Sequence, residues 1–293
     1  AKLNTLVLDK DDIGGQIKIT NEVVNYPGIL ETSGSLLTKT MKQQSINFGV
    51  KFETVEVLDV DFSDTIKKVK TNKGEFKSLS VIIATGARPR RLGFKGETEF
   101  AGRGVAYCAT CDGEFFTDLD VFVIGAGFAA AEESIFLTKF ARHVYVIARE
   151  PEFTCSKTIA DKVLSNPKIT VHFNTEILEL SGTQSPKKAT FIDNKTNNVW
   201  EYNVEDLNST FGVFVFVGYE PISEIFKNYI ELDKFGYIPT NEDLKTNIEG
   251  VYAAGDIRPK RLRQLVTAVS DGAIASTSIE RYLIDKKDEL GIS

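Results

Sequence analysis

Cysteine is scarce in this chain of 293 residues, and so are histidine, methionine and tryptophan: three, two, one and one. Three cysteines cannot form a disulfide framework, which needs an even and denser set. Two of them, Cys108 and Cys111, stand three positions apart. In a reducing compartment that spacing reads as redox chemistry or metal binding. Structural zinc takes four ligands, usually from two such motifs. The only other sulfur ligand is Cys155, and His143 and His172 stand at no ligand spacing, so no metal is expected. An excess of positive charge is also missing. The formal net charge of −6 argues against sequence-independent binding to nucleic-acid phosphates. Apolar runs such as residues 121–131 fall far short of the roughly 20 residues that span a bilayer. No membrane span is expected, and no charged-then-apolar signal peptide opens the chain, which makes the cytoplasm the default location.

What remains is the composition of an ordinary globular protein, 42% hydrophobic and 26% charged. At roughly 150 residues per domain the length suggests about two domains. Residues 5–9 read as a buried strand ending in Asp9, with Gly14 and Gly15 just beyond. In a dinucleotide-binding βαβ unit, an acid closing the second strand takes a ribose hydroxyl. A first strand, its glycine-rich turn and a helix, about 25 residues in all, are expected upstream and are missing from the sequence. The plainer alternative is an edge strand that simply begins a domain. Further strand-like runs occupy residues 79–84, 121–125, 144–148, 211–217 and 251–254. Several are continuous in Val, Ile and Phe, as parallel strands covered on both faces are. Helical periodicity runs through residues 130–141. Alternating strands and helices indicate an α/β doubly wound fold of dinucleotide-binding, three-layer domains.

The sharpest motif is Cys108-Ala-Thr-Cys111-Asp112. Cysteines at this spacing can close a small disulfide, and a thiolate of the pair can attack a partner's disulfide. The neighbouring carboxylate of Asp112 can exchange the proton that each thiol gains or loses. Gly125-Ala-Gly127-Phe128-Ala-Ala130 follows a strand and opens a helix, the context that makes a glycine pattern a dinucleotide-fold turn. Phe128 places a bulky ring in that turn, and the fold can persist there without the ligand. Ala84-Thr85-Gly86 and Ala254-Gly255-Asp256 are strand-to-turn elements, and Asp256 can accept hydrogen bonds from a polyol such as ribityl. Together with Gly14, Gly15 and Gln16 they support a flavin site.

Gly14-Gly15-Gln16, Asn25-Tyr-Pro-Gly28, Ala84-Thr85-Gly86, Cys108-Ala-Thr-Cys111-Asp112, Ala254-Gly255-Asp256 and Arg263-Gln264-Leu265 fall in the order and spacing of the low-molecular-weight thioredoxin reductases. The chain resembles that family over nearly its whole length. The resemblance implies an FAD domain made of residues 1–93 and 219–293, with a pyridine-nucleotide-like domain, residues 94–218, inserted and carrying the disulfide. It implies a homodimer and thioredoxin as partner. It also implies that Cys111 faces the flavin, that Cys108 attacks thioredoxin and that Asp112 moves protons. Asp9, Asn25, Arg263, Gln264 and Leu265 join the flavin set on the same footing.

One departure bears on the electron donor. NADPH-using members carry a His-Arg-Arg-x-x-x-Arg cluster that clamps the 2′-phosphate, where this chain has Ala148-Arg149-Glu150-Pro-Glu152-Phe-Thr154. A carboxylate a few ångströms from a phosphate costs on the order of 1–4 kcal/mol at surface-like dielectrics, and guanidinium contacts are lost as well. The pattern is most similar to the ferredoxin-dependent flavin thioredoxin reductases, so ferredoxin is the expected donor. Arg88, Arg90, Arg91, Arg258, Lys260, Arg261 and Arg263 would offer an acidic carrier a landing surface. NADH, with Glu150 on the ribose hydroxyls, is the first alternative. A flavin-binding redox sensor without catalysis is another.

Overall fold

The computed structural model describes residues 1–11, 13–20, 23–206 and 208–291. In chain order its strands are β1 Leu6–Asp9, β2 Lys51–Thr54, β3 Val57–Asp61, β4 Lys67–Thr71, β5 Gly74–Ser78, β6 Val81–Ile83, β7 Ala87–Pro89, β8 Val105–Ala106 and β9 Asp120–Ile124. They continue as β10 His143–Ala148, β11 Ile169–Phe173, β12 Thr175–Gly182, β13 Pro186–Asp193, β14 Val199–Asn203, β15 Gly212–Val215, β16 Tyr219–Pro221 and β17 Val251–Ala253. The helices are α1 Gly34–Asn47, α2 Ala109–Asp112, α3 Phe128–Leu137, α4 Lys157–Leu164 and α5 Leu265–Leu290. The chain forms two compact units, Ala1–Arg88 with Glu220–Ser293, and Pro89–Tyr219. The chain passes from one to the other at residues 88–89 and returns at residues 219–220.

The unit of residues 89–219 is built on a five-stranded parallel sheet in the order β11-β10-β9-β15-β8. All five residues of β9 are buried, because both faces of the sheet are covered. On one face Val121, Val123, Val144, Val146 and Phe214 meet Ala130, Ala131 and Leu137 of α3 and Val163 of α4. On the other, Phe122, Ile124, Val213 and Val215 meet Ile177, Leu180, Ala189 and Phe191. Those last four belong to the antiparallel sheet β12-β13-β14, so the third layer of this unit is itself a sheet. Helix α3 stops short of the expected 141. Thr138 bonds back to the Ile135 carbonyl at 2.7 Å, and Lys168 Nζ donates to the Thr138 and Ala141 carbonyls at 3.0 and 3.2 Å. Outside groups thus satisfy the last carbonyls.

In the other unit β1 pairs in parallel with β2, and β17 with β6, while β3, β4 and β5 form an antiparallel meander. Val60, Phe62, Ile83, Ile238, Val251 and Ile257 form its main core. Ala275 and Ile279 of α5 pack on Tyr252 and Ala254. Helix α1 lies so close to the 3₁₀ turn Gly15–Ile19 that a Cβ on Gly34 would collide with the Ile17 carbonyl. Among the described residues no helix is long and apolar enough to cross a membrane.

Gly212 opens β15 beneath the ring of Phe116, where a Cβ would lie 2.8 Å from Cδ1. Forcing a methyl into such a packed contact costs typically about 1–3 kcal/mol. Gly212→Ala is therefore expected to lower the free energy of unfolding by that amount, read from the shift of the urea midpoint, and an unchanged midpoint would show that the ring moves freely aside.

Candidate functional site

Each unit presents its chemistry at the carboxyl ends of parallel strands, where open α/β sheets bind ligands. In the unit of residues 89–219, β8 pairs with β15 through Val105↔Val213 and Ala106↔Phe214, and Phe214 also pairs with Val123 of β9. Cys108 therefore leaves the same edge of the sheet as the Gly125–Gly127 turn after β9. Cys108 is extended at the N-cap of α2, and one turn later Cys111 closes the disulfide, with the Cα atoms 5.3 Å apart. Ala109 is buried, and Gly113 lets the segment press onto α3, since a Cβ there would lie 3.1 Å from Leu137. Cys155 is a free thiol, partly buried against the helix-side core.

Asp112 follows directly. Burial raises its carboxyl to about 6 from the ordinary 3.8, so near neutral pH it can hold or release a proton beside the sulfurs. The same shift is a statement about stability. A folded-state value above the unfolded one means that the folded chain binds the proton more tightly. Stability is then full below about pH 4 and falls as pH rises through about 6.

Gly125 needs its positive φ of 137° and its missing Cβ, which would lie 2.5 Å from the Phe216 carbonyl. Gly127 is the N-cap of α3. Phe128 does not fill the turn as expected from the sequence. It is the first residue of α3 and its side chain is 56% exposed, because the helix start directs it outward. The turn stays open, with Thr154 Oγ1, at 4.0 Å, the nearest neighbour of a Cβ placed on Gly127. Thr154 also donates its N–H to the Ala126 carbonyl at 2.9 Å. Ala148 is buried at the end of β10. Arg149, the one cation kept from the phosphate clamp, bonds Glu150 at 2.9 Å.

The other unit gathers most of the expected flavin residues. Ala254 N–H donates to the Ile83 carbonyl at 3.0 Å, which sets the turns after β6 and β17 side by side. The Gln16 amide reaches the Ala87 carbonyl, and Thr85 Oγ1 reaches the Ile222 carbonyl at 2.7 Å. Asn25 donates to Gln264 at 3.3 Å, and Gln264 caps α5 one residue before Leu265, exchanging bonds with Thr267. Arg263 lies over the Tyr237 ring at 5.0 Å. Gly14, Gly15, Gly86 and Gly255 all have positive φ, and Ala84 is exposed at the end of its strand. Asp9 stands apart: its carboxylate accepts the Asp11 N–H at 3.1 Å, at the end of β1.

Asp271 escaped sequence reading. It is buried within α5 and accepts from the Gly255 N–H at 2.8 Å, Arg258 Nη1 at 2.8 Å and Lys260 Nζ at 2.7 Å. These bonds hold its carboxyl below the usual range against the opposing effect of burial. The available signal was one acid in a helix following a basic run. This corrects the expected docking surface, because Arg258 and Lys260 are turned inward, 17% and 12% exposed, to neutralise Asp271. Arg88 pairs with Glu220 at 2.8 Å and Arg91 with Thr98 at 3.2 Å. Arg90 and Arg261 remain exposed.

Residues 2–272 match the family model of the pyridine nucleotide-disulphide oxidoreductases. The chain is 48% identical to the thioredoxin reductase of Peptoclostridium litorale and 47% identical to that of Peptoclostridium acidaminophilum, each over 97% of this chain and 90% of the relative. The crystal structure of thioredoxin reductase from Streptococcus pyogenes is similar at a TM-score of 0.84 and 35% identity, covering 96% of this chain and 90% of that one. The chain belongs to the pyridine nucleotide-disulphide oxidoreductases and, within them, to the thioredoxin reductase family.

FAD is the cofactor of this family, and the residues present fit it. Asp256 Oδ1 is buried without a hydrogen-bond partner among the described residues. Such a group costs free energy unless a donor reaches it, and a flavin's ribityl hydroxyl is such a donor. Burial also raises the Asp256 carboxyl above its ordinary value. Nothing lies within 4 Å of a Cβ placed on Gly15 or Gly86, which leaves room for a ligand against the backbone.

Two outcomes are expected. Asp271→Ala strands two buried cations, and losing even about 1.4 kcal/mol of anchoring is a factor of ten. FAD affinity, read by flavin fluorescence on dilution, should fall about tenfold or more, and an unchanged affinity would remove Asp271 from the site. Asp112→Asn should flatten the decline in melting temperature between about pH 4 and 6, and persistence of the full slope would place the titrating group elsewhere.

Proposed function

We propose that this chain reduces the disulfide of thioredoxin through Cys108 and Cys111, with electrons delivered to its flavin by reduced ferredoxin. The observation that carries the choice of donor is the Arg149–Glu150 pair. At the end of β10 the one retained cation is neutralised by its neighbour, with Ala148 and Thr154 where the family's clamp has basic residues. A nucleotide 2′-phosphate would meet a carboxylate there, beside a single guanidinium that is already paired to that carboxylate.

Bound FAD would supply the two-electron reducing capacity that opens the Cys108–Cys111 disulfide. Asp9, Gly14, Gly15, Gln16, Asn25, Ala84, Thr85, Gly86, Gly255, Asp256, Arg263, Gln264 and Leu265 would hold it. The Cys108 thiolate attacks one sulfur of thioredoxin's disulfide and releases the other as a thiolate. Cys111 then attacks the mixed disulfide, reforms the Cys108–Cys111 bond and frees reduced thioredoxin. Asp112, titrating near 6, takes and returns the thiol protons. The same family pattern brings a homodimer and a cytoplasmic setting into the proposal.

A second reading has its own support. The open turn at Gly125–Gly127 leaves room for a pyrophosphate at the start of α3, and Glu150 at the end of β10 suits free ribose hydroxyls better than a 2′-phosphate, so the pyridine nucleotide of this reading is NADH.

Anaerobic mixing of the oxidised holoenzyme with reduced ferredoxin, NADH and NADPH in turn separates these readings. Flavin bleaching fastest with ferredoxin is expected. Fastest bleaching by NADH selects the second reading, and by NADPH it refutes the account of the clamp. Cys108→Ser and Cys111→Ser should each abolish thioredoxin reduction and keep the flavin, whereas Cys155→Ser should be nearly silent. Substantial turnover by either of the first two variants sinks the mechanism.

A further inference from the structure

The two rungs of β8 end at Ala106, yet the dithiol begins two residues later. Tyr107 bridges that gap, and it is gripped twice. Its hydroxyl donates to Glu97 Oε1 at 2.9 Å, and its carbonyl accepts from the Tyr219 hydroxyl at 3.3 Å. Glu97 is only 1% exposed. Its carboxylate also accepts the amides of Leu92 at 3.2 Å and Gly93 at 2.6 Å. Burial first, and then the Glu97 carboxylate, hold the Tyr107 phenol well above its ordinary value, so it remains a donor throughout the working range. All of these residues lie in the unit of residues 89–219. The residue before Cys108 is thus tied to the segment by which the chain enters that unit and to the residue at which it leaves.

We infer that Glu97 and Tyr107 are positioning residues for the redox pair: their hydrogen bond fixes the backbone at Cys108 and thereby sets the equilibrium between dithiol and disulfide. Extended backbone at Cys108, φ −142° and ψ 110°, starts the one turn across which the two sulfurs meet. The disulfide form is ring-closed whether or not Tyr107 is held. The dithiol form is not, and it gains conformations when the grip is released. Loss of the hydroxyl therefore favours the dithiol. This inference rests on the Cys108–Cys111 disulfide and is independent of which donor reduces the flavin.

The test is equilibration of the holoenzyme under anaerobic conditions in glutathione buffers. There each glutathione disulfide is reduced to two thiols as Cys108 and Cys111 are oxidised to the disulfide, and protein thiols are counted by alkylation and mass spectrometry. Tyr107→Phe should lower the equilibrium constant for oxidation about fivefold or more, the order expected when the backbone of one residue regains its freedom in the dithiol form alone. Tyr202→Phe is the matched control. Its hydroxyl donates to Asp120 at 2.7 Å, at the amino end of β9 and the far edge of the sheet. A merely structural role predicts that both variants lose melting temperature and neither moves the equilibrium. The positioning role predicts a shift in Tyr107→Phe alone. Tyr219→Phe, which removes the second grip, should shift it less and in the same direction, and it carries the test should Tyr107→Phe not fold. A wild-type equilibrium constant in the folded variant, or equal shifts in Tyr107→Phe and Tyr202→Phe, overturns the inference.

Discussion

A ladder of two residue pairs, Val105↔Val213 and Ala106↔Phe214, fixes where the Cys108–Cys111 disulfide sits. It joins β8 to a sheet whose neighbouring strands are wholly buried, so the dithiol hangs from a rigid edge by a very short tether. Sites supported this way hold their geometry better than sites on free loops. The rest of the segment adds to that support. Ala109 and Phe116 sink into the core, and Gly113 lets the short turn press against α3. Cys108 and Cys111 are consequently set by the packing around them as well as by their own sulfur bond.

The flavin side relies on a different kind of support, buried carboxylates with opposite fates. Asp271 is satisfied by an amide and two cations, and it holds the Gly255 turn in place. Asp256, one residue beyond that turn, has a buried oxygen with no partner among the described residues. A fully paired carboxylate is a structural fixture, whereas an unmatched one is a binding feature. The pair shows how the helix α5 can shape a ligand site through a side chain that need not touch the ligand. It also shows why charge runs mislead. Arg258 and Lys260 resemble a docking patch in sequence, yet they face inward.

Much of this was legible in the sequence, for specific reasons. Continuous Val, Ile and Phe runs marked β6, β9, β10, β15 and β17, because buried parallel strands have no polar face to hide. The Cys108–Cys111 spacing and the glycine turn after β9 are local features, readable from a few residues. Nonlocal features were not readable. The carboxylate of Asp271 serves groups 11–16 residues away, and Glu97 serves Tyr107 across a loop. The antiparallel layer β12-β13-β14 went unread because its half-exposed strands carry weak alternation. Phe128 was misread because a side chain at the first position of a helix can point away from the turn that precedes it.

The proposed activity requires that Cys108 and Cys111 exchange electrons with the bound flavin. Anaerobic titration of the holoenzyme with dithionite tests it most directly. The wild type should take up twice as many electrons per flavin as Cys111→Ser, since the disulfide accepts a pair of its own. Equal uptake by the two proteins would contradict it.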